Sequence, residues 1–156
     1  KVHGNIFGGG LGLLAACDVV AAVRESKYCF SEAKLGLVPA VISAFVLKKS
    51  SPMLARQMML TAQIFDENKA QEMGLVNFIG SDEEVEDFVQ SQIEFFKSNG
   101  ADALKDTKYL LDFVPMNTWD AIKKETTRVI AERRVSQEGQ EGMKAFFEKR
   151  KPTWKS

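Results

Sequence analysis

His3-Gly4-Asn5-Ile6-Phe7-Gly8-Gly9-Gly10-Leu11-Gly12, continuing as Leu13-Leu14-Ala15-Ala16-Cys17-Asp18, holds five of the eleven glycines in the chain. The apolar lead-in, Val2 to Phe7, reads as a strand. Three consecutive glycines interrupt it, and a short small-residue helix, Leu11 to Cys17, follows at once. Glycine tolerates positive φ and lets another group approach bare backbone. A helix N-terminus adds free N–H groups and a partial positive charge. The stretch is therefore either a tight packed turn or a cradle for a developing oxyanion.

Outward from this turn, the first half alternates strand and helix. Asp18-Val19-Val20-Ala21-Ala22-Val23 is a continuous apolar run, the mark of a buried parallel strand. A turn over Arg24 to Lys27 leads to a short strand, Tyr28 to Phe30, which delivers Ser31-Glu32. Leu35-Gly36-Leu37-Val38-Pro39 bends into a helix from Ala40 to Lys49. Ser51-Pro52 supplies an N-cap and a first-turn proline for a helix over Met53 to Leu60. Asp66 caps another helix, which stops at Gly74 where a left-handed cap fits, and Leu75 to Ile79 is a last strand.

Beyond Gly80 the pattern is helical. Ser81 to Glu84 forms a capping box, and Val85, Phe88, Val89, Gln92, Phe95 and Phe96 follow helical spacing. Further helices are expected over Ala101 to Phe113, from Asn117 or Thr118 to Arg134, and from Ser136 to about Arg150. The fold class is α/β over residues 1–80, joined to an all-α region over residues 81–156.

With 156 residues the chain can bury a real core. It opens at Lys1, without Met and inside a strand, so we expect it to be part of something longer. Lys+Arg and Asp+Glu both total 21, a balance that argues against nucleic acid as a partner. Cys17 and Cys29 lack metal-ligand or CxxC spacing and sit in apolar context. Two buried free thiols in a reducing, cytoplasmic setting are expected. The longest apolar run, Leu35 to Leu47, is broken by Pro39 and too short to span a bilayer, so no membrane partner is expected.

Glu32 is the leading candidate for chemistry. At a strand end in an apolar neighbourhood its carboxyl is partly desolvated, the setting of a general acid/base; the competing reading is a salt bridge to Lys34. His3, the single histidine, has no partner and reads as structural; Ser31 and Ser43 lack a nucleophile elbow, and no clustered metal ligands exist. Gly10-Leu11-Gly12-Leu13-Leu14-Ala15 fits G-x-G-x-x-A with Glu32 about twenty residues on, a dinucleotide pattern, although the helix after it is short for a Rossmann crossover. The basic-aromatic ending around Phe146 to Lys151 either meets a phosphate-bearing ligand or closes the last helix.

Taken together, Gly4 to Gly10, Leu13 to Asp18, Tyr28 to Glu32 and Leu35 to Pro39 resemble the crotonase (enoyl-CoA hydratase/isomerase) superfamily. Leu60-Thr61-Ala62, Phe65-Asp66, Ala70, Gly74-Leu75-Val76 and the ending from Glu138 to Pro152 extend the likeness over the whole chain. The combination of Phe30-Ser31-Glu32 with Pro39 to Ser43 looks most like methylglutaconyl-CoA-type hydratases. The resemblance implies a crotonase-like (ClpP/crotonase) spiral β/α core and a helical region that builds trimers or hexamers. It implies an acyl-CoA substrate, coenzyme A only as part of that substrate, and no metal or redox cofactor. By position it makes the Gly9 N–H an oxyanion donor and Glu32 the catalytic carboxylate. Gly8, Gly12, Pro39 and Val41 line the substrate pocket, and Phe146 and Lys149 contact coenzyme A. Hydratases of this family carry a further glutamate two residues after the triple glycine, where this chain has Gly12. The likeness implies hydration of a 2-enoyl-CoA, with isomerase or other enolate chemistry, or a non-catalytic oligomer-forming role, as alternatives. It also implies that the missing N-terminal part supplies a second oxyanion donor, leaving this piece inactive alone.

Overall fold

The computed structural model describes residues 1–155. The chain divides into two compact units, Lys1–Gln90 and the remainder from Ser91. Composition turns helical at Gly80, yet the first unit runs further for a physical reason. Lys1 Nζ meets Asp82 at 2.9 Å and Glu86 at 3.1 Å, Arg24 meets Glu84 at 3.0 Å, Val85 is buried, and Phe88 stacks on Phe78 at 4.5 Å.

The first unit contains β1 (Ile6–Phe7), α1 (Gly9–Ala16), β2 (Ala21–Val23), β3 (Lys27–Cys29), α2 (Ala40–Lys49), α3 (Pro52–Thr61), β4 (Phe65–Asp66), α4 (Glu67–Glu72) and β5 (Phe78–Gly80). Parallel β1 and β3 pair Ile6 with Tyr28 and Phe7 with Cys29, and β4 adds to β3 antiparallel. A separate parallel pair joins β2 to β5. The expected Val2–Phe7 strand is broken. Val2 bridges to Ala22, and only Ile6–Phe7 reaches β3. Gly4 lies between them at φ +90°, a left-handed kink that sends one stretch to two sheets. Likewise β2 and β5 are shorter than the apolar runs suggest. Asn77 Oδ1 accepts the Val20 N–H at 2.8 Å, and Leu75 and Val76 are spent on the core rather than the ladder.

The core joins Leu11 and Leu14 of α1, Tyr28 and Phe30 around β3, Val46 of α2 and Met58 of α3. Phe65 stacks on both Tyr28 (5.5 Å) and Phe30 (5.9 Å), anchoring the strand that leads to Glu32. Burial, with the Glu67 carboxylate adding, pushes the Tyr28 hydroxyl up to about 12. One expectation fails: Cys29 is buried, but Cys17 is exposed, because it caps the C-terminus of α1 where the chain leaves the core.

Helix α5 (Asp82–Lys97) opens with the expected capping box: Ser81 N–H donates to Glu84 Oε2 at 2.7 Å and Glu84 N–H to Ser81 Oγ at 3.2 Å. In the second unit, α6 (Ala101–Phe113), α7 (Trp119–Val135) and α8 (Gln137–Phe147) follow. Arg133 on α7 bridges to Asp106 at 2.8 Å and Asp102 at 3.3 Å on α6, while Glu138 of α8 accepts the Asp102 and Ala103 N–H groups at 3.1 and 2.9 Å. From Ser91 on, the buried hydrophobic residues among those described are Val129 and Ala145.

Candidate active site

The glycine turn is held by the strand beside it. Gly8 N–H donates to Cys29 O at 3.0 Å, continuing the β1–β3 pairing by one residue. Gly8 is the N-cap of α1 at φ +52° and ψ −124°, a conformation that side chains resist. A Cβ built there would lie 3.4 Å from Ser31 Oγ and 3.6 Å from Glu32 Oε1. The turn and the carboxylate, twenty-four positions apart in sequence, are thus neighbours. Helix α1 begins at Gly9, two residues earlier than its apolar pattern suggests. The Gly9 N–H meets no acceptor among the described residues, and the space where its Cβ would stand is open within 4 Å. A free N–H at a helix N-terminus is an anion donor.

Glu32 starts a 3-10 turn, Glu32–Leu35, closed by Gly36 at φ +69°. Its Oε2 is buried without a hydrogen-bond partner. The expected alternative, a salt bridge to Lys34, is absent among the described residues, since Lys34 Nζ instead lies 4.0 Å from Cys29 Sγ. Stranding a buried carboxylate oxygen costs about 1–3 kcal/mol or more, so an unpaired one calls for an explanation beyond folding. Ser31, discounted as a nucleophile from its sequence context, contributes its hydroxyl to the same corner.

Gly12 does not face this corner. It is buried, and a Cβ on it would stand 2.5 Å from Ile42 Cγ2 and 3.0 Å from Ile42 Cβ. Its glycine is what allows α1 and α2 to approach, and no motif signalled that contact because Ile42 is thirty positions away. Pro39, the residue before α2, is half-buried, and Val41 is 79% exposed on the first turn of that helix. His3 is exposed and lies close enough to Asp82 to help hold that carboxyl below its usual range, behind the hydrogen bond and charge of Lys1. Phe146 (79% exposed) and Lys149 (φ +54°) belong to the second unit, at the C-terminal end of α8. Among the described residues no three His, Cys, Asp or Glu side chains gather as metal ligands, and no helix is long and apolar enough to cross a membrane.

The strand pairing, the glycine-started helix and the helices after it define a crotonase fold. A solved enoyl-CoA hydratase from Shewanella pealeana superposes with a TM-score of 0.93 at 40% identity, over 98% of this chain and 57% of that one. Pseudomonas aeruginosa AtuE superposes with a TM-score of 0.94 at 34% identity, over 99% of this chain and 60% of that one. The profile of the enoyl-CoA hydratase/isomerase family matches residues 1–156, and the chain belongs to that family of enzymes. An enoyl-CoA hydratase of Alternaria alternata is 45% identical over 83 residues, 53% of this chain and 28% of that protein. The chain thus spans about 60% or less of the length of each of these relatives.

Proposed function

We propose that this chain carries the carboxylate half of an enoyl-CoA hydratase site, with Glu32 as the acid/base and the Gly9 N–H as one oxyanion donor. The observation that carries the reading is the placement of the Glu32 carboxylate, whose Oε1 lies beside the Gly8 turn and whose Oε2 is buried without a hydrogen-bond partner. In the forward direction Glu32 accepts a proton from water as that water's oxygen bonds to Cβ of the enoyl thioester. The Cα=Cβ electron pair moves toward the carbonyl, whose oxygen takes up negative charge opposite the Gly9 N–H. The same proton returns from Glu32 to Cα, so one carboxylate closes the cycle. A single-carboxylate scheme accords with Gly12, where a longer side chain would collide with Ile42.

Glu32→Gln keeps the shape and removes the base, and should lower turnover of crotonyl-CoA or methylglutaconyl-CoA by about 10²–10⁴-fold. Turnover at the wild-type rate would refute the role of Glu32. One donor of the expected pair lies in these residues, so we propose that the 156-residue chain alone turns over slowly, and that pairing with a second donor segment restores the rate. Gly12 also favours a second reading, enolate chemistry without hydration such as double-bond isomerisation. Mass spectrometry of acyl-CoA products separates the two, since only hydration adds the mass of water. Self-association into trimers or hexamers belongs to the same proposal. Its support is the exposure of Trp119, Val135 and Phe147 on a unit with few buried apolar residues.

A further inference from the structure

We infer that Cys17 and Lys49 form an acyl-transfer pair, in which an acyl group captured from a thioester on Cys17 Sγ passes to Lys49 Nζ. Cys17 does not stand alone. The packing of α1 on α2 brings Lys49, the last residue of α2, across thirty-two positions to the end of α1, where its Nζ donates to Cys17 O at 2.5 Å. The amine and the thiol therefore share one residue's environment. Cys17 is reduced and exposed, and its Sγ makes only a weak contact with Leu13 O at 3.3 Å, so it is open to a thioester in solution. Lys49 is half-buried. Desolvation holds its amine below the usual lysine range, against the opposing pull of Cys17 and Asp18, which enlarges the neutral, nucleophilic fraction.

The chemistry is redox-neutral. Cys17 Sγ bonds to the acyl carbon as the donor's C–S bond breaks, and the donor thiol leaves with the proton lost by Cys17. Lys49 Nζ then bonds to the same carbon, the Cys17 C–S bond breaks, an amide remains, and the amine's proton returns to Sγ. Proximity makes the second step intramolecular. The product loses the cation that suits the C-terminal end of α1, the helix that begins at Gly9. A second cysteine–lysine neighbourhood in the fold serves as a control: Lys34 Nζ lies 4.0 Å from Cys29 Sγ, but that thiol is buried and closed to donors.

The test is peptide mass spectrometry of the chain after incubation with acetyl-CoA, and separately with S-acetyl-N-acetylcysteamine, a thioester without the nucleotide. Both donors should acetylate Lys49 and leave Lys34 unmodified. Cys17→Ser, an exposed and mild change, should lower Lys49 acetylation about tenfold or more. Lys49→Arg should leave a hydroxylamine-labile acetyl group on Cys17. Equal Lys49 acetylation in Cys17→Ser, or no acetyl on either residue with both donors, would overturn the pair. Neither readout involves Glu32 or Gly9, so the relay and the hydratase reading fail separately.

Discussion

Gly12→Ala asks whether the close approach of α1 and α2 is what demands glycine. The new Cβ would stand 2.5 Å from Ile42 Cγ2 and 3.0 Å from Ile42 Cβ, against ordinary carbon–carbon contacts of about 3.5–4.0 Å. The far neighbour is a β-branched side chain on a packed helix, stiff at χ1, so relief requires α2 to move. Overpacking of this kind costs about 1–3 kcal/mol, while replacing glycine inside a helix returns about 0.5–1 kcal/mol. The expected net loss is about 1 kcal/mol, or about 2–4 °C in Tm for a chain of this size. Denaturant titration followed by circular dichroism reads it. Ile42→Ala alone, at a buried site, should cost about 2–5 kcal/mol. In the double variant the two losses should add to less than their sum by about 1 kcal/mol, because the Cγ2 that the added methyl would strike is gone. A Gly12→Ala chain as stable as the parent, or strictly additive losses, would refute the packing account of Gly12. It would also reopen that position to a carboxylate.

Other outcomes follow from the same geometry. Gly9→Pro removes the proposed oxyanion N–H at a helix position where proline is tolerated. Hydration assayed with the second donor segment present should fall about 10²–10³-fold while helix content holds, and unchanged turnover would remove Gly9 from the site. Tyr28 is held up to about 12 in the folded chain against about 10 unfolded. Its stabilisation is therefore complete below about pH 10 and lost as pH rises toward about 12. Denaturation midpoints across that window should drop in the parent and flatten in Tyr28→Phe; parallel profiles would contradict this. Glu138 accepts two N–H groups at the start of α6. Glu138→Ala should thus cost about 0.5–2 kcal/mol by thermal melting, as loss of a cap does, and no change would mean water replaces it.

Local chemistry was legible along much of the chain. The Ala40–Lys49 and Ala101–Phe113 helices fall where their apolar spacing and flanking prolines put them. The Ser81–Glu84 capping box, the Asp66 cap and the left-handed Gly74 all carry their own signal within three or four residues. Three strands, β1, β2 and β5, are shorter than their apolar runs suggest, while β3 keeps its expected length one residue earlier in the chain. Their ends are set by which partner offers hydrogen bonds, and no run of valines records where β2 and β5 stop pairing. The two-residue β4 went unrecognised because Phe65–Asp66 is too short to show a period.

The glycine turn shows the same division. Its residues by themselves determined a strand that turns into a helix with a bare N-terminus, because glycine and helix polarity act over a few neighbouring positions. They also marked Glu32 as a carboxylate in apolar company. Only the tertiary structure decided that Glu32 and the Gly8 turn meet, that Gly12 serves a helix contact, and that Cys17 is exposed beside Lys49. Those facts depend on atoms far apart in sequence, brought within a few ångströms by burial of a common core, and burial is non-directional: it selects a compact packing without announcing in advance which side chains will touch.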